Sequence, residues 1–223
     1  MNPAGGLAQF WAQGDAISHL VAYALLLMSL LSWYFILAKG KSAWRIRKGA
    51  AALDHFWRAT NMATAIAELQ DADPEQIYAP MAAAGVQAAG AKPPTTLDAA
   101  SRQGERLTRA LRREINRATA RLESGLTILA SIGATAPFVG LLGTVWGIYH
   151  ALAAVSASGT VQIDKVAGPV GEALIMTALG LAVAIPAVLA YNGFTRLNRI
   201  TLAELDAFAH DLHAHLGHAG QTR

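Results

Sequence analysis

The sequence contains no cysteine, which excludes disulfides, thiol catalysis and cysteine-ligated metals. It is also poor in charge, because only 15% of its 223 residues are Asp, Glu, Lys or Arg, against about 25% in soluble domains. No run of the form GxxxxGK[ST] occurs, so the phosphate-binding loop of an ATP-driven subunit is missing. Hydrophobic residues dominate instead, at 53%, with a mean hydropathy of +0.32. The composition predicts an integral membrane protein.

Three apolar segments are long enough to cross a bilayer, which takes about 20 residues of helix. They are residues 16–38, 127–155 and 169–192, and we expect an all-α protein with three transmembrane helices. Positive charge follows the first segment instead of preceding it, so this segment is predicted to be a retained anchor and not a cleaved signal peptide.

The distribution of Lys and Arg predicts the orientation of these helices. Residues 1–15 contain no Lys or Arg, and residues 156–168 contain only Lys165. Basic runs flank the long connection, 39–126, and two arginines open the tail, 193–223. Because cytoplasmic flanks carry the excess of positive charge, we predict a periplasmic N-terminal segment, a short periplasmic loop at 156–168, and a cytoplasmic C-terminus. This topology accounts for the net charge of +3, and no nucleic-acid partner is expected.

The long cytoplasmic connection is predicted to be helical. Helices are expected from residue 43 to about 70 and from 74 to 89, joined at "DADP", with a break at "GAKPPTTLD". From Leu97 to Leu129 apolar residues keep a three-and-four spacing with no turn signal, which predicts one helix running from the cytoplasm into the second span. The tail continues the third span in the same way. These apolar stripes must be buried against other helices, either of this chain or of further copies in a ring.

Small residues recur within the second and third spans. Glycines on one ridge let helices approach closely in lipid, where packing replaces the hydrophobic drive. The second and third spans are therefore expected to pack on each other, on copies of the chain, or both. The predicted packing residues are Gly133, Gly140, Gly143, Gly147 and Gly180.

Glu172 is a carboxylate in a run that is otherwise apolar or small. An ionised group at the centre of a bilayer costs at least about 2.5–3.5 kcal/mol, so such residues normally face a partner, water or a bundle interior. Position alone leaves two interpretations open, a functional intramembrane carboxylate or a residue at the outer mouth. Thr144 and Thr177 lie at comparable depth, and their hydroxyls can either relay protons or bond back to their own helix.

Two long runs carry a resemblance more specific than any short motif. They are "APFVGLLGTVWGIYHAL" and "IDKVAGPVGEALIMTALGLAVAIPAVLAYN", and they resemble the MotA/TolQ/ExbB proton-channel family, most closely its ExbB branch. The resemblance implies a homopentamer in the inner membrane of Gram-negative bacteria, enclosing helices of a smaller partner, ExbD. The assembly uses the proton-motive force to drive TonB in the uptake of siderophores, vitamin B12 and similar nutrients.

The resemblance also implies roles for individual residues. It assigns the proton pathway to Glu172, Thr144 and Thr177, with protons as the coupling ion and no other cofactor. The essential aspartate belongs to ExbD, and no Asp lies within an apolar segment here. A TolQ-like subunit of the Tol-Pal system and a structural scaffold without ion conduction remain as alternatives.

The sequence offers little support for a protease or for a metal-binding site. An intramembrane protease needs Ser/His or paired Asp side chains within the spans, whereas His19 and His150 stand near segment ends and are interpreted as interfacial residues. The tail histidines fit a solvated helix end better than a metal site, and no metal is predicted. They are His210, His213, His215 and His218.

Overall fold

The computed structural model describes residues 15–90, 97–158 and 163–218, and every regular element in these ranges is a helix. Three stretches are long and apolar enough to cross a membrane, namely Ala16–Phe56, Gln103–Ser156 and Gly168–Gly217. The predicted all-α class with three spanning segments is confirmed. The helices are α1 (Ala16–Ala51), α2 (Leu53–Phe56), α3 (Met62–Ala72), α4 (Ala79–Ala89), α5 (Leu97–Glu123), α6 (Leu126–Ser158) and α7 (Ile163–His218).

The chain divides into two compact units. The membrane unit comprises residues up to Leu37 together with Gly125–Asn192, and the polar unit comprises Ala38–Ser124 together with Gly193–Arg223. The boundaries fall close to the span ends predicted from sequence, because the apolar residues change there to Lys, Arg and Ser.

The polar unit has a hydrophobic core of its own. The stripe predicted on α5 is buried, with Leu107 at 1% exposure and Leu111 and Leu122 at 4%. It packs in one cluster with Leu205 and Leu212 of α7, which are fully buried. The same chain therefore covers a large part of these stripes. Each buried leucine contributes about 1.5–3 kcal/mol to stability.

The predicted continuity between α5 and the second span is wrong. The helix ends at Glu123 and a new one begins at Leu126. Gly125 between them has φ of +79°, and a Cβ at this position would lie 2.6 Å from the ring of Phe35. Only glycine meets both conditions without strain. The hydrophobic spacing runs through the break because a single left-handed residue leaves the sequence pattern almost unchanged.

Other helix limits also differ from the predictions. The helix expected over residues 43–70 is three helices, since α1 continues from the first span to Ala51 and α3 starts at Met62 behind an Asn61 cap that accepts from the Thr64 N–H. α7 begins at Ile163, six residues before the predicted start of the third span, and α6 extends to Ser158. Of the predicted loop at 156–168, residues 159–162 lie outside the described ranges.

Asp73 fixes the joint between α3 and α4. Its side chain is 1% exposed, and Oδ2 accepts hydrogen bonds from the backbone N–H groups of Tyr78, at 2.7 Å, and Ala79, at 2.9 Å. The carboxylate therefore satisfies donors at the start of α4 and places negative charge where the helix dipole favours it. Tyr78 in turn donates to Glu204 of α7 at 3.1 Å. Burial, together with the Glu204 carboxylate, raises the pKa of the Tyr78 hydroxyl.

We expect Asp73→Ala to destabilise the polar unit by about 1–3 kcal/mol, because two buried amides lose their acceptor. Hydrogen exchange at the Tyr78 and Ala79 amides should accelerate correspondingly. Asp71→Ala is the matched control, since Asp71 is two residues away and exposed. Equal exchange rates in the two variants would contradict the capping role.

Candidate functional site

The small-residue faces of α6 and α7 are in direct contact. A Cβ on Gly140 would lie 2.6 Å from the Met176 carbonyl oxygen, and a Cβ on Gly180 would lie 2.7 Å from that of Ala136. Further along, a Cβ on Gly147 would meet the Cβ of Ala173 at 2.8 Å. The two backbones therefore touch, and this approach is possible because these positions carry no side chain.

The remaining predicted glycines lie on the same seam. Gly133 lies against Val188 of α7. Gly143 contacts both Met176 of α7 and Val21 of α1, so α6 also packs on α1. The expectation that part of this packing is intramolecular thus matches the contacts within one chain. Alanines at 173, 184 and 187 complete the α7 face, with exposures of 4%, 4% and 0%.

Thr144 and Thr177 meet across this seam. Thr144 is 7% exposed, its Oγ1 lies 3.1 Å from the carbonyl oxygen of Gly140, and the two threonine hydroxyls are hydrogen-bonded to each other. Each hydroxyl has one proton to donate and lone pairs to accept. Thr144 therefore bonds back to its own helix and also to the neighbouring one.

Glu172 lies in α7, five residues before Thr177. Because α7 starts at Ile163, position 172 is about 13 Å along the helix from its first residue, at about 1.5 Å per residue. Had the helix started at Gly168, that distance would be about 6 Å. The side chain of Glu172 lies outside the part of the chain that the structure describes.

A polar cluster at the start of α1 was missed by the sequence analysis. Asp15 Oδ1 accepts the Ser18 N–H at 2.9 Å, and Oδ2 accepts the indole N–H of Trp146. His150 Nε2 lies 3.8 Å from the same oxygen. Although burial works in the opposite direction, the hydrogen bonds from Ser18 and Trp146 lower the pKa of Asp15 to about 2. No local sequence pattern predicts this cluster, because Asp15 and Trp146 are 131 residues apart.

The tail histidines do not converge among the described side chains. His215 packs edge-on against Trp57 at 5.9 Å, and no group of three His, Cys, Asp or Glu side chains suited to a metal ion occurs in the described part of the chain. The side chain of His218 lies outside it. On α5, Arg109 pairs with the exposed Glu105 at 3.0 Å, as on a solvated helix surface.

Comparison with known proteins identifies relatives along most of the chain. Residues 73–207 match the model of the MotA/TolQ/ExbB proton channel family. The chain is 43% identical over 230 residues to the biopolymer transport protein ExbB of Xanthomonas campestris pv. campestris strain B100, covering 95% of this chain and 90% of that protein. It is 42% identical over 205 residues to ExbB of Neisseria meningitidis strain Z2491, covering 91% and 93%. The Tol-Pal system protein TolQ of Pseudomonas aeruginosa is 32% identical over 212 residues, covering 91% and 89%.

Proposed function

The chain belongs to the MotA/TolQ/ExbB proton channel family, and from this premise we propose that it is the ExbB-like subunit of an inner-membrane motor. In this proposal the motor uses the proton-motive force to energise a TonB-like protein for nutrient uptake across the outer membrane. The ExbB assignment is favoured over TolQ because identity is 42–43% to the former and 32% to the latter over similar coverage.

The observation that carries the ion-coupling proposal is the partly buried hydroxyl pair of Thr144 and Thr177. A hydrogen-bonded pair can take a proton at one oxygen and release one from the other without either group ionising for long. In this proposal Glu172 supplies the exchangeable proton, because a carboxyl group can bind and release a proton, whereas threonine hydroxyls only donate and accept hydrogen bonds. Thr144, Thr177 and Glu172 would then act in one pathway, with protons as the only coupling ion.

This chain is proposed to work only with partners. An ExbD-like single-span protein would provide a transmembrane Asp, and a ring of copies, a pentamer in the family pattern, would enclose it. Exposed apolar side chains such as Leu174, Ile185 and Leu189, at 57%, 57% and 67%, would then face lipid or neighbouring copies. One charge crossing 100 mV gains about 2.3 kcal/mol, so a few protons suffice to bias a mechanical step.

Complementation tests the proposed function. A Gram-negative strain lacking its own ExbB and ExbD would receive this chain together with a single-span partner carrying one transmembrane Asp. We expect restored, uncoupler-sensitive growth on iron-siderophore. Rescue of detergent resistance in a strain lacking TolQ, without rescue of siderophore uptake, would favour the TolQ-like alternative.

Periplasmic labelling of a cysteine placed at residue 2, but not of one placed at residue 222, would support the proposed orientation.

Removing either hydroxyl should lower uptake roughly tenfold while leaving the complex assembled, because Thr→Val keeps shape but removes the transferable proton. The variants are Thr144→Val, Thr177→Val and their combination, which should cost little more than either alone since both act on one hydrogen bond. Thr135→Val is the control: Thr135 is exposed on the same helix and bonds back to Ser131 at 2.7 Å. Additive losses, or an equal loss in Thr135→Val, would count against a shared pathway.

A further inference from the structure

The polar unit contains a cavity of about 410 Å³ beside the points where the chain leaves its predicted spans. Its lining includes Lys39, one residue past the first predicted span, and Ser124, three residues before the second. Phe194, two residues past the third predicted span, also lines it. All three chain segments that continue into the membrane thus contribute to one cavity wall.

The two cationic side chains that line this cavity, Lys39 and Arg121, keep N–H donors that bind no acceptor among the described residues. Lys39 Nζ donates to the carbonyl oxygens of Arg121, at 3.1 Å, and Leu122, at 2.9 Å, which leaves one of its three N–H groups. Arg121 is exposed and donates through Nη1 to the carbonyl oxygen of Gln76 at 3.1 Å, which leaves four of its five donors.

Among the described residues that line the cavity, the one carboxylate already has protein partners. Glu75 accepts from Ser42 Oγ at 2.8 Å and pairs with Arg45 at 3.4 Å. Its charge therefore does not cancel that of both Lys39 and Arg121. An anion entering the cavity would find unused donors on two cations, and the planar donors of arginine suit the oxygens of a phosphate.

Part of the remaining wall is apolar, beside polar residues such as Ser124 and Asn198. Ala43, Ile46, Ile77 and Phe194 line it, and such side chains do not suit a small hydrated anion. They suit the glycerol and upper acyl carbons that follow a phosphate in a phospholipid. The neighbouring span ends place this site at the height where the headgroups of the leaflet predicted to be cytoplasmic lie.

We propose that this cavity binds the phosphate headgroup of an anionic phospholipid, held by Arg121 and the remaining donor of Lys39. The occupant bridges the three chain segments that enter the membrane. This site uses none of the residues assigned to the proton pathway, so lipid binding can be tested without any coupled activity.

The test is native mass spectrometry of the full chain released from nanodiscs that contain equal amounts of phosphatidylglycerol and phosphatidylcholine. We expect phosphatidylglycerol to be retained preferentially and its retention to fall at least tenfold in Arg121→Gln. Arg113→Gln is the matched control, because Arg113 is exposed on the same helix and makes no polar contact with the described residues. A second variant, Ala43→Leu, fills the cavity without changing charge and should give the same loss.

Several results would overturn the proposal. These are equal retention of the two lipids, equal loss in Arg113→Gln, and undiminished retention in both Arg121→Gln and Ala43→Leu. Titration of inorganic phosphate into the protein in neutral detergent separates the two sources of phosphate. If inorganic phosphate binds in a manner that depends on Arg121 and the anionic lipid is not preferred, the cavity binds a soluble anion and not a lipid.

Discussion

Glu172→Gln is expected to reduce partner-dependent uptake to near background while leaving expression, oligomer size and partner binding intact. Glutamine has nearly the same shape and can accept and donate hydrogen bonds, but it cannot exchange a proton at accessible pH. Since general acid–base groups typically contribute about 10²–10⁴-fold to a rate, the loss should be at least roughly a hundredfold. The measurement is initial uptake of labelled iron-siderophore in the complemented strain.

The control for Glu172→Gln must remove the same charge elsewhere. Glu123→Gln does so at the exposed end of α5, and we expect uptake to stay near wild type. Proton flux into vesicles containing the purified complex gives a second readout that needs no outer-membrane transporter. Normal uptake in Glu172→Gln would reject the relay and favour the scaffold alternative, whereas dissociation of the oligomer would assign Glu172 to assembly.

Gly180→Ala is expected to disrupt the membrane unit itself. Its Cβ would lie 2.7 Å from the Ala136 carbonyl oxygen and 3.1 Å from the Gly140 Cα. Both are backbone atoms, so the helices must separate, and overpacking of this kind costs about 1–3 kcal/mol. The separation also pulls Thr144 and Thr177 apart, so stability and uptake should fall together.

Gly193→Ala is the control within the same helix. A Cβ there has nothing within 4 Å in the single chain, and replacing a helical glycine by alanine favours the helix by about 0.5–1 kcal/mol. Thermal unfolding in detergent should show a lower Tm for Gly180→Ala and an unchanged or higher Tm for Gly193→Ala. Equal shifts would mean that the α6–α7 seam tolerates separation.

Much of the fold could be predicted from the sequence because it depends on local patterns. Apolar length gives the three spans, and glycine spacing gives the faces of α6 and α7 that meet. The stripe on α5 is also local, and its burial follows from the need to cover Leu107 and Leu111. These signals are strong because each repeats over several helical turns.

Contacts that depend on one residue or on distant partners could not be predicted. The end of α5 depends on a single glycine, Gly125, within an unbroken apolar spacing. The hydroxyl pair of Thr144 and Thr177 depends on the relative register of two helices, which spacing within each helix does not determine. Asp15 directly precedes the first predicted span and Trp146 lies within the second, and no motif connects the two residues.

The carbonyl oxygen of Leu122 has a consequence for the order in which the protein is made. It accepts one hydrogen bond from Lys39, 83 residues earlier, and another from Asn198, 76 residues later. Lys39 is synthesised before Leu122, so its hydrogen bond can form first, whereas the bond from Asn198 forms only after α7 has been synthesised. The same delay applies to the hydrophobic core, whose Leu205, Phe208 and Leu212 arrive last. A nascent chain that stops before α7 therefore leaves the leucines of α5 without these core partners.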